Sequence, residues 1–192
     1  MRELEVPERD NLHSTYRTTS RATFRVVLSA MAAHGFIPRT VDVRKVFLQS
    51  IPLDRPTSVY VQPPNQAQVP AGIAWRLRKC AYGLTDAPRR WYDSVHALMV
   101  ELKLQRSTFE HDILTAHGDG ALLLVIAVHE DDFLFGGTTP AVGTALRRTF
   151  DTGPTKSGEF TFTGVRVRTS VNEDTGALSV RADQEQYVDS IE

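Results

Sequence analysis

Apolar residues recur at Phe24, Val27, Leu28 and Met31, three and four positions apart, so they share one face of a helix. Thr18, Thr19 and Ser20 offer cap candidates ahead of that stripe, and Gly35 a stop behind it. Val41–Leu48 is β-branched and aromatic and lies between Pro38 and Pro52, which predicts a strand. Five prolines (Pro52, Pro56, Pro63, Pro64 and Pro70) then hold residues 51–72 as extended loop. Short strands are predicted at Val59–Gln62 and Ala74–Arg78. Asp86 is placed to cap a second helix with Pro88 in its first turn and Trp91, Val95, Leu98, Met99 and Leu102 as its apolar face.

The longest apolar run, Ala121–Val128, lacks polar alternation, the mark of a strand covered on both faces. A polar turn, His129-Glu130-Asp131-Asp132, follows, and Phe133–Phe135 opens a return strand, so the pair reads as a hairpin. A third helix is predicted over Pro140–Phe150, then a strand pair, Phe160–Arg168 and Ala177–Ala182, joined around Asn172–Gly176, and a last helical turn near Gln184. Residues 1–17 are polar and without periodicity, a loose lead-in, which leaves 18–192 as one domain. The order helix, strand, helix, hairpin, helix, strands predicts an α+β fold, an antiparallel sheet with helices packed on one face.

Composition changes this picture little. At 192 residues, 41% apolar and 23% charged, the chain is ordinary for a soluble globular protein. No apolar run is long enough to span a bilayer, so no membrane partner is expected. The opening MRELEVPERD has no apolar signal region. A single cysteine, Cys80, excludes an internal disulfide and a cysteine-built zinc site, and points to a reducing compartment. The net charge of -1 hides an uneven distribution: Arg76, Arg78, Lys79, Arg89 and Arg90 stand against one acid, Asp86, while acids gather at Glu130, Asp131 and Asp132. A protein that holds both phosphates and cations would segregate charge in this way. A solvated basic face would show the first half of it equally.

Adjacent carboxylates at Asp131 and Asp132 repel and raise each other's pKa unless a cation neutralises them, and magnesium-like ions prefer carboxylate oxygens. The alternative is a solvated turn, where Asp is common. Asp42 sits in a predicted strand between Val41 and Val43, a costly position for a carboxylate buried without a partner. If that strand lay beside the hairpin, Asp42 and Asp131 would share two metal ions about 3.5–4 Å apart, as in phosphoryl-transfer sites. Spacing along the chain does not show that the two strands are neighbours.

Four segments, in order, resemble reverse transcriptases of the copia-type retrotransposon class. Asp42-Val-Arg-Lys-Val-Phe-Leu-Gln49 is similar to that family's Asp-Val-Lys-x-Ala-Phe-Leu stretch. Cys80-Ala-Tyr-Gly-Leu-Thr-Asp-Ala-Pro-Arg-Arg-Trp-Tyr92 resembles its Leu-Tyr-Gly-Leu-Lys-Gln-Ala-Pro-Arg-x-Trp-Tyr block and is the most distinctive of the four. Val128-His-Glu-Asp-Asp-Phe-Leu-Phe-Gly-Gly137 stands where the family has Tyr-Val-Asp-Asp, and Phe160–Val167 is similar to its primer-gripping Phe-Leu-Gly hairpin.

The resemblance implies a polymerase palm-like sheet with fingers and thumb incomplete, and RNA-directed DNA synthesis with Mg2+ or Mn2+ as cofactor. Its implied partners are RNA or DNA template-primer, deoxynucleoside triphosphates and the rest of a retrotransposon polyprotein. Asp42, Asp131 and Asp132 would be catalytic metal ligands, helped by the Val43 carbonyl. Phe47 would stack under the sugar, although the residue alone reads as a core aromatic, and Tyr82 and Gly83 would line the nucleotide pocket. Arg89 and Arg90 would touch nucleic-acid phosphates, a reading balanced by that of solvated first-turn residues. Phe162 and Gly164 would belong to the primer contact, while Trp91 and Tyr92 read as core. The compartment implied is the cytoplasm, with the nucleus as alternative.

Departures temper these expectations. Glu130 replaces a small apolar residue, His129 a tyrosine and Val46 an alanine. Residues 1–16 do not resemble the family's upstream fingers segment, whose Lys and Arg hold the triphosphate, and no thumb is matched. Without that clamp much of the electrostatic stabilisation of phosphoryl transfer is absent, so weak metal binding and little or no polymerase activity are expected of the chain by itself. The competing expectation is an inactive or co-opted remnant that at most binds nucleic acid. An unrelated metal-dependent hydrolase would need a further base or ligand that these segments do not supply.

Overall fold

The computed structural model describes residues 19–138 and 141–185; the lead-in over 1–17 and the helical turn beyond Glu185 lie outside them. The chain divides into two compact units, one of Lys45–Ala97 and the other of the described parts of Arg17–Arg44 and Leu98–Glu192.

The larger unit is built on a six-stranded antiparallel sheet. Its strands are β1 (Arg39–Asp42), β4 (Gln105–Arg106), β5 (Ile113–Gly118), β6 (Ala121–His129), β7 (Asp132–Gly137) and β8 (Lys156–Ser157), in the order β4-β5-β6-β7-β1-β8. A second sheet, β9 (Glu159–Phe162), β10 (Val165–Val171) and β11 (Leu178–Asp183), runs β11-β10-β9. Helix α1 (Arg21–Ala33) starts at Ser20, whose hydroxyl accepts from the Thr23 amide at 3.1 Å, a cap that satisfies one orphan donor of the first turn. It stops at Gly35, which adopts φ +68°, as left-handed C-terminal caps require.

The face of α1 foreseen from spacing is the one it buries: Phe24, Val27, Leu28 and Met31 join Val125, Ala127 and Leu134 of the large sheet and Phe160, Phe162, Val165 and Val167 of the small one in a single core. Helix α3 (Ala141–Thr149) lies elsewhere. A methyl group on its Gly143 would sit 3.1 Å from the Phe135 ring, and Phe135 projects from β7 opposite to Leu134. The expectation of helices on one face is therefore corrected: α1 and α3 cover opposite faces of β7. The cause is in the strands, since Leu124–Val128 and Phe133–Gly136 are buried without a break, and sheet apolar on both faces must be covered on both.

Two strand boundaries also differ from expectation. Val41–Leu48 is not one strand: β1 ends at Asp42, Lys45 turns left-handed at φ +50°, and Val46–Gln49 forms a 3₁₀ turn. Phe160–Arg168 is divided into β9 and β10 by Thr163 and Gly164, both left-handed at φ +47° and +77°, the two-residue turn whose twist suits a hairpin. In the smaller unit β2 (Tyr60–Val61) pairs antiparallel with β3 (Trp75–Arg76), inside the expected ranges. Helix α2 (Ala87–Glu101) begins in this unit and its last turn, from Leu98, belongs to the larger one; Trp91, Val95, Leu98 and Met99 are buried.

Close approach fixes one glycine of the hairpin. A Cβ on Gly137 would stand 2.5 Å from the Leu123 carbonyl oxygen and 3.0 Å from the Leu124 Cα, both backbone atoms. Gly137→Ala is expected to cost about 2 kcal/mol, the scale of overpacking, as a lower urea midpoint at unchanged slope.

Candidate active site

The sheet order decides the question that spacing left open. β1 and β7 are neighbours, and their register sets Asp42 directly opposite Asp132; paired residues of antiparallel strands project to the same face. Asp42 lies at the end of β1, exposed between Val41 and Val43, which are 1% and 0% exposed. The alternation of the strand thus keeps the carboxylate out of the core and avoids the burial cost considered above.

Asp131 sits in the two-residue turn between β6 and β7, behind Glu130 at φ +55°. Its carbonyl accepts from the Val43 amide at 2.8 Å, and the Asp42 carbonyl accepts from Gly153 at 2.8 Å. These bonds tie the hairpin tip, the end of β1 and the segment after α3 into one frame. Burial pushes the Asp132 carboxyl up to about 6, helped by the negative charges of Asp131 and Asp42 and opposed by His129 and Lys156. Mutual charging of this kind means that three carboxylates share one region with too little positive charge to balance them. Among the described residues, no three His, Cys, Asp or Glu side chains converge as a metal-holding group, so side-chain rotation would have to complete the set.

One neighbour, Lys156, escaped the sequence reading; the other, His129, stood in the acidic turn it singled out. Lys156 belongs to β8, whose register places it opposite Thr40 of β1; nothing in a two-residue strand signals such a contact. His129 faces Asp132 across the hairpin, and its ring meets Phe162 edge-on with centroids 6.3 Å apart. Its Nδ1 is buried without a hydrogen-bond partner.

The remaining expected site residues are divided between the two units. Phe162 is 1% exposed and stacks on Phe24 at 5.4 Å, so its ring anchors the β9–β10 hairpin from inside the core and only Gly164 stands at the turn. Val43 is fully buried and contributes its backbone alone. In the smaller unit Phe47 and Tyr82 meet edge-to-face at 4.8 Å, and Gly83 holds φ +92° with open space around it. Arg89 and Arg90 already have protein partners: Arg89 pairs with Asp93 at 3.0 Å, and Arg90 donates to the Asp54 carbonyl at 2.8 Å.

Among the described residues no helix is long and apolar enough to cross a membrane. Residues 9–153 match the family model described as reverse transcriptase (RNA-dependent DNA polymerase). The chain is 29% identical over 131 residues to the retrovirus-related Pol polyprotein from transposon RE1 of Arabidopsis thaliana, and 28% identical over 131 residues to that from transposon RE2. Each match takes in 67% of this chain and 8% of the relative, so the chain spans a small part of either polyprotein. The chain belongs to the reverse transcriptase (RNA-dependent DNA polymerase) family.

Proposed function

We propose that the chain is the palm region of a copia-type retrotransposon reverse transcriptase and that Asp42, Asp131 and Asp132 form its catalytic centre. The observation that carries this reading is the pairing of Asp42 with Asp132 beside Asp131, with Asp132 raised to about 6 by burial and by its two neighbours. A carboxylate set with unbalanced negative charge suits hard divalent cations such as magnesium or manganese. When bound, such ions activate an attacking hydroxyl and stabilise the charge of the leaving phosphate. Asp42 and Asp132 would hold them from adjacent strands and Asp131 from the turn. The Val43–Asp131 and Gly153–Asp42 backbone bonds keep those positions in register. Phe47 and Tyr82 are the proposed aromatic contacts for the incoming deoxynucleotide. The proposed compartment is the cytoplasm, where elements of this class copy their RNA.

One observation favours the inactive-remnant alternative: among the described residues the carboxylates are not already converged on a metal position. Extension of a primed RNA template separates the two readings. Little or no extension by the chain alone, and magnesium- or manganese-dependent extension once it is joined to the flanking polyprotein, absent from an Asp131→Asn/Asp132→Asn variant, is the expected result. No extension by the wild-type chain, alone or joined to the flanking polyprotein, would select the remnant.

A further inference from the structure

The basic residues singled out by charge distribution divide in the fold. Arg89 and Arg90 are held by Asp93 and the Asp54 carbonyl. Arg76, Arg78 and Lys79 instead line a groove of about 670 Å³ between the β2–β3 hairpin and the segment leading into it. Arg55, Thr57 and Ser58 complete its polar wall, and no carboxylate lines it. Arg55 is committed to Asp86, whose Oδ2 accepts from Nε at 2.7 Å. Among the described residues, Arg76, Arg78 and Lys79 have no ion pair, and all three are exposed.

Three unneutralised cations in one trough hold counterions that a polyanion can release. The Leu77 amide donates to the Val59 carbonyl at 2.9 Å, which keeps the backbone extended past β3. Arg76 and Arg78 then stand about 6–7 Å apart along the chain, a step suited to successive phosphates of an extended strand. A free triphosphate fits less well, because it arrives with a divalent cation that needs oxygen ligands and the groove offers no carboxylate. On the rim, Tyr60 is 61% exposed and directly opposite Arg76 in register. An exposed aromatic beside a basic track is a stacking platform for an unpaired base.

We infer that this groove binds single-stranded nucleic acid, with Arg76, Arg78 and Lys79 on consecutive phosphates and Tyr60 under a base. Its service to a copied template rests on the polymerase reading; the binding itself does not involve the carboxylates. The test is fluorescence anisotropy of the full chain with a labelled oligouridylate of about 12 nucleotides, in EDTA and across a salt series. The Arg76→Ala/Arg78→Ala/Lys79→Ala variant is expected to bind at least about tenfold more weakly and to lose about 2 from the slope of log K against log salt, at roughly 0.7 per phosphate contact. Tyr60→Ala is expected to weaken binding about fivefold at unchanged slope. Arg25→Ala, on the exposed side of α1, serves as the control for charge lost outside the groove.

A triple variant with wild-type affinity and slope overturns the proposal. So does displacement of the oligouridylate by a metal-free deoxynucleoside triphosphate at micromolar concentration, which would make the groove a triphosphate site. Primer extension run beside the titration keeps the two readings apart. Binding with the expected slope but no extension, by the chain alone or joined to the flanking polyprotein, removes the polymerase reading and leaves the groove. Extension with a triple variant unchanged in both assays removes the groove alone.

Discussion

Asp132→Asn is expected to stabilise the metal-free chain at pH 8 by about 1 kcal/mol while lowering metal-dependent primer extension about a thousandfold. Both effects come from the same charge. The folded protein holds the Asp132 carboxyl up at about 6 through burial, Asp131 and Asp42, against an unfolded value of about 3.9. A carboxyl raised in this way favours its protonated form in the folded state, so folding binds protons between those two values. Stability from this group is therefore greatest below pH 4, declines between about 4 and 6, and stays reduced above 6. Two pKa steps would correspond to almost 3 kcal/mol; Asp132 is only partly buried, and solvent screening reduces that to about 1.

Asn keeps the shape and removes the charge. The gap in melting temperature between variant and wild type is expected to be open at pH 8 and closed near pH 4, read by thermal unfolding in EDTA. Manganese should reverse the order at pH 8, because an ion that binds only the folded state stabilises it and the variant lacks one of the proposed metal ligands. The kinetic loss follows from the several kcal/mol that a correctly held ion contributes to the transition state, at 1.36 kcal/mol per tenfold. A variant no more stable than wild type at pH 8 would mean that the Asp132 charge is already balanced by groups such as Lys156.

The elements legible in the sequence are those with a strong local signal. The apolar stripe of α1 with its Ser20 cap and Gly35 stop, the doubly buried β6 and the acidic turn all come from periodicity or turn chemistry. The positions that escaped are governed by contacts distant in sequence. β8 is two residues long and exists because Thr40 and Lys156 pair across the sheet. β1 stops early because Lys45 turns left-handed, a backbone choice that a β-branched and aromatic run conceals. The coming together of Asp42 and Asp132 was not legible either, since 90 residues separate them and only the sheet order β7-β1 makes them neighbours. Phe162 shows the reverse case. A resemblance placed it at the primer, whereas its ring is enclosed by Phe24 and His129.

Arg55→Ala is expected to destabilise the smaller unit by about 3 kcal/mol, more than any other single surface-accessible change there. Asp86 stands just before α2, in the block most distinctive of the family, where relatives of the resembled type carry a glutamine. Its side chain is 4% exposed against 27% for Arg55, and Arg55 holds both carboxylate oxygens. Removing the arginine strands a buried charge, the costly way to break such a pair. Removing the acid leaves a cation that can still reach water. Asp86→Gln is therefore expected to cost less than about 1.5 kcal/mol, and adding it to Arg55→Ala should restore most of the loss, a coupling that a double-mutant cycle measures. Cys80 reports the outcome: it is fully buried and burial, then Asp86, pushes its thiol up, so alkylation requires opening. Arg55→Ala should speed alkylation about a hundredfold, at 1.4 kcal/mol per tenfold, and the double variant should return it towards wild type. If both single variants accelerate it equally, the pair is worth its direct attraction and the stranded charge is not what makes Arg55 necessary.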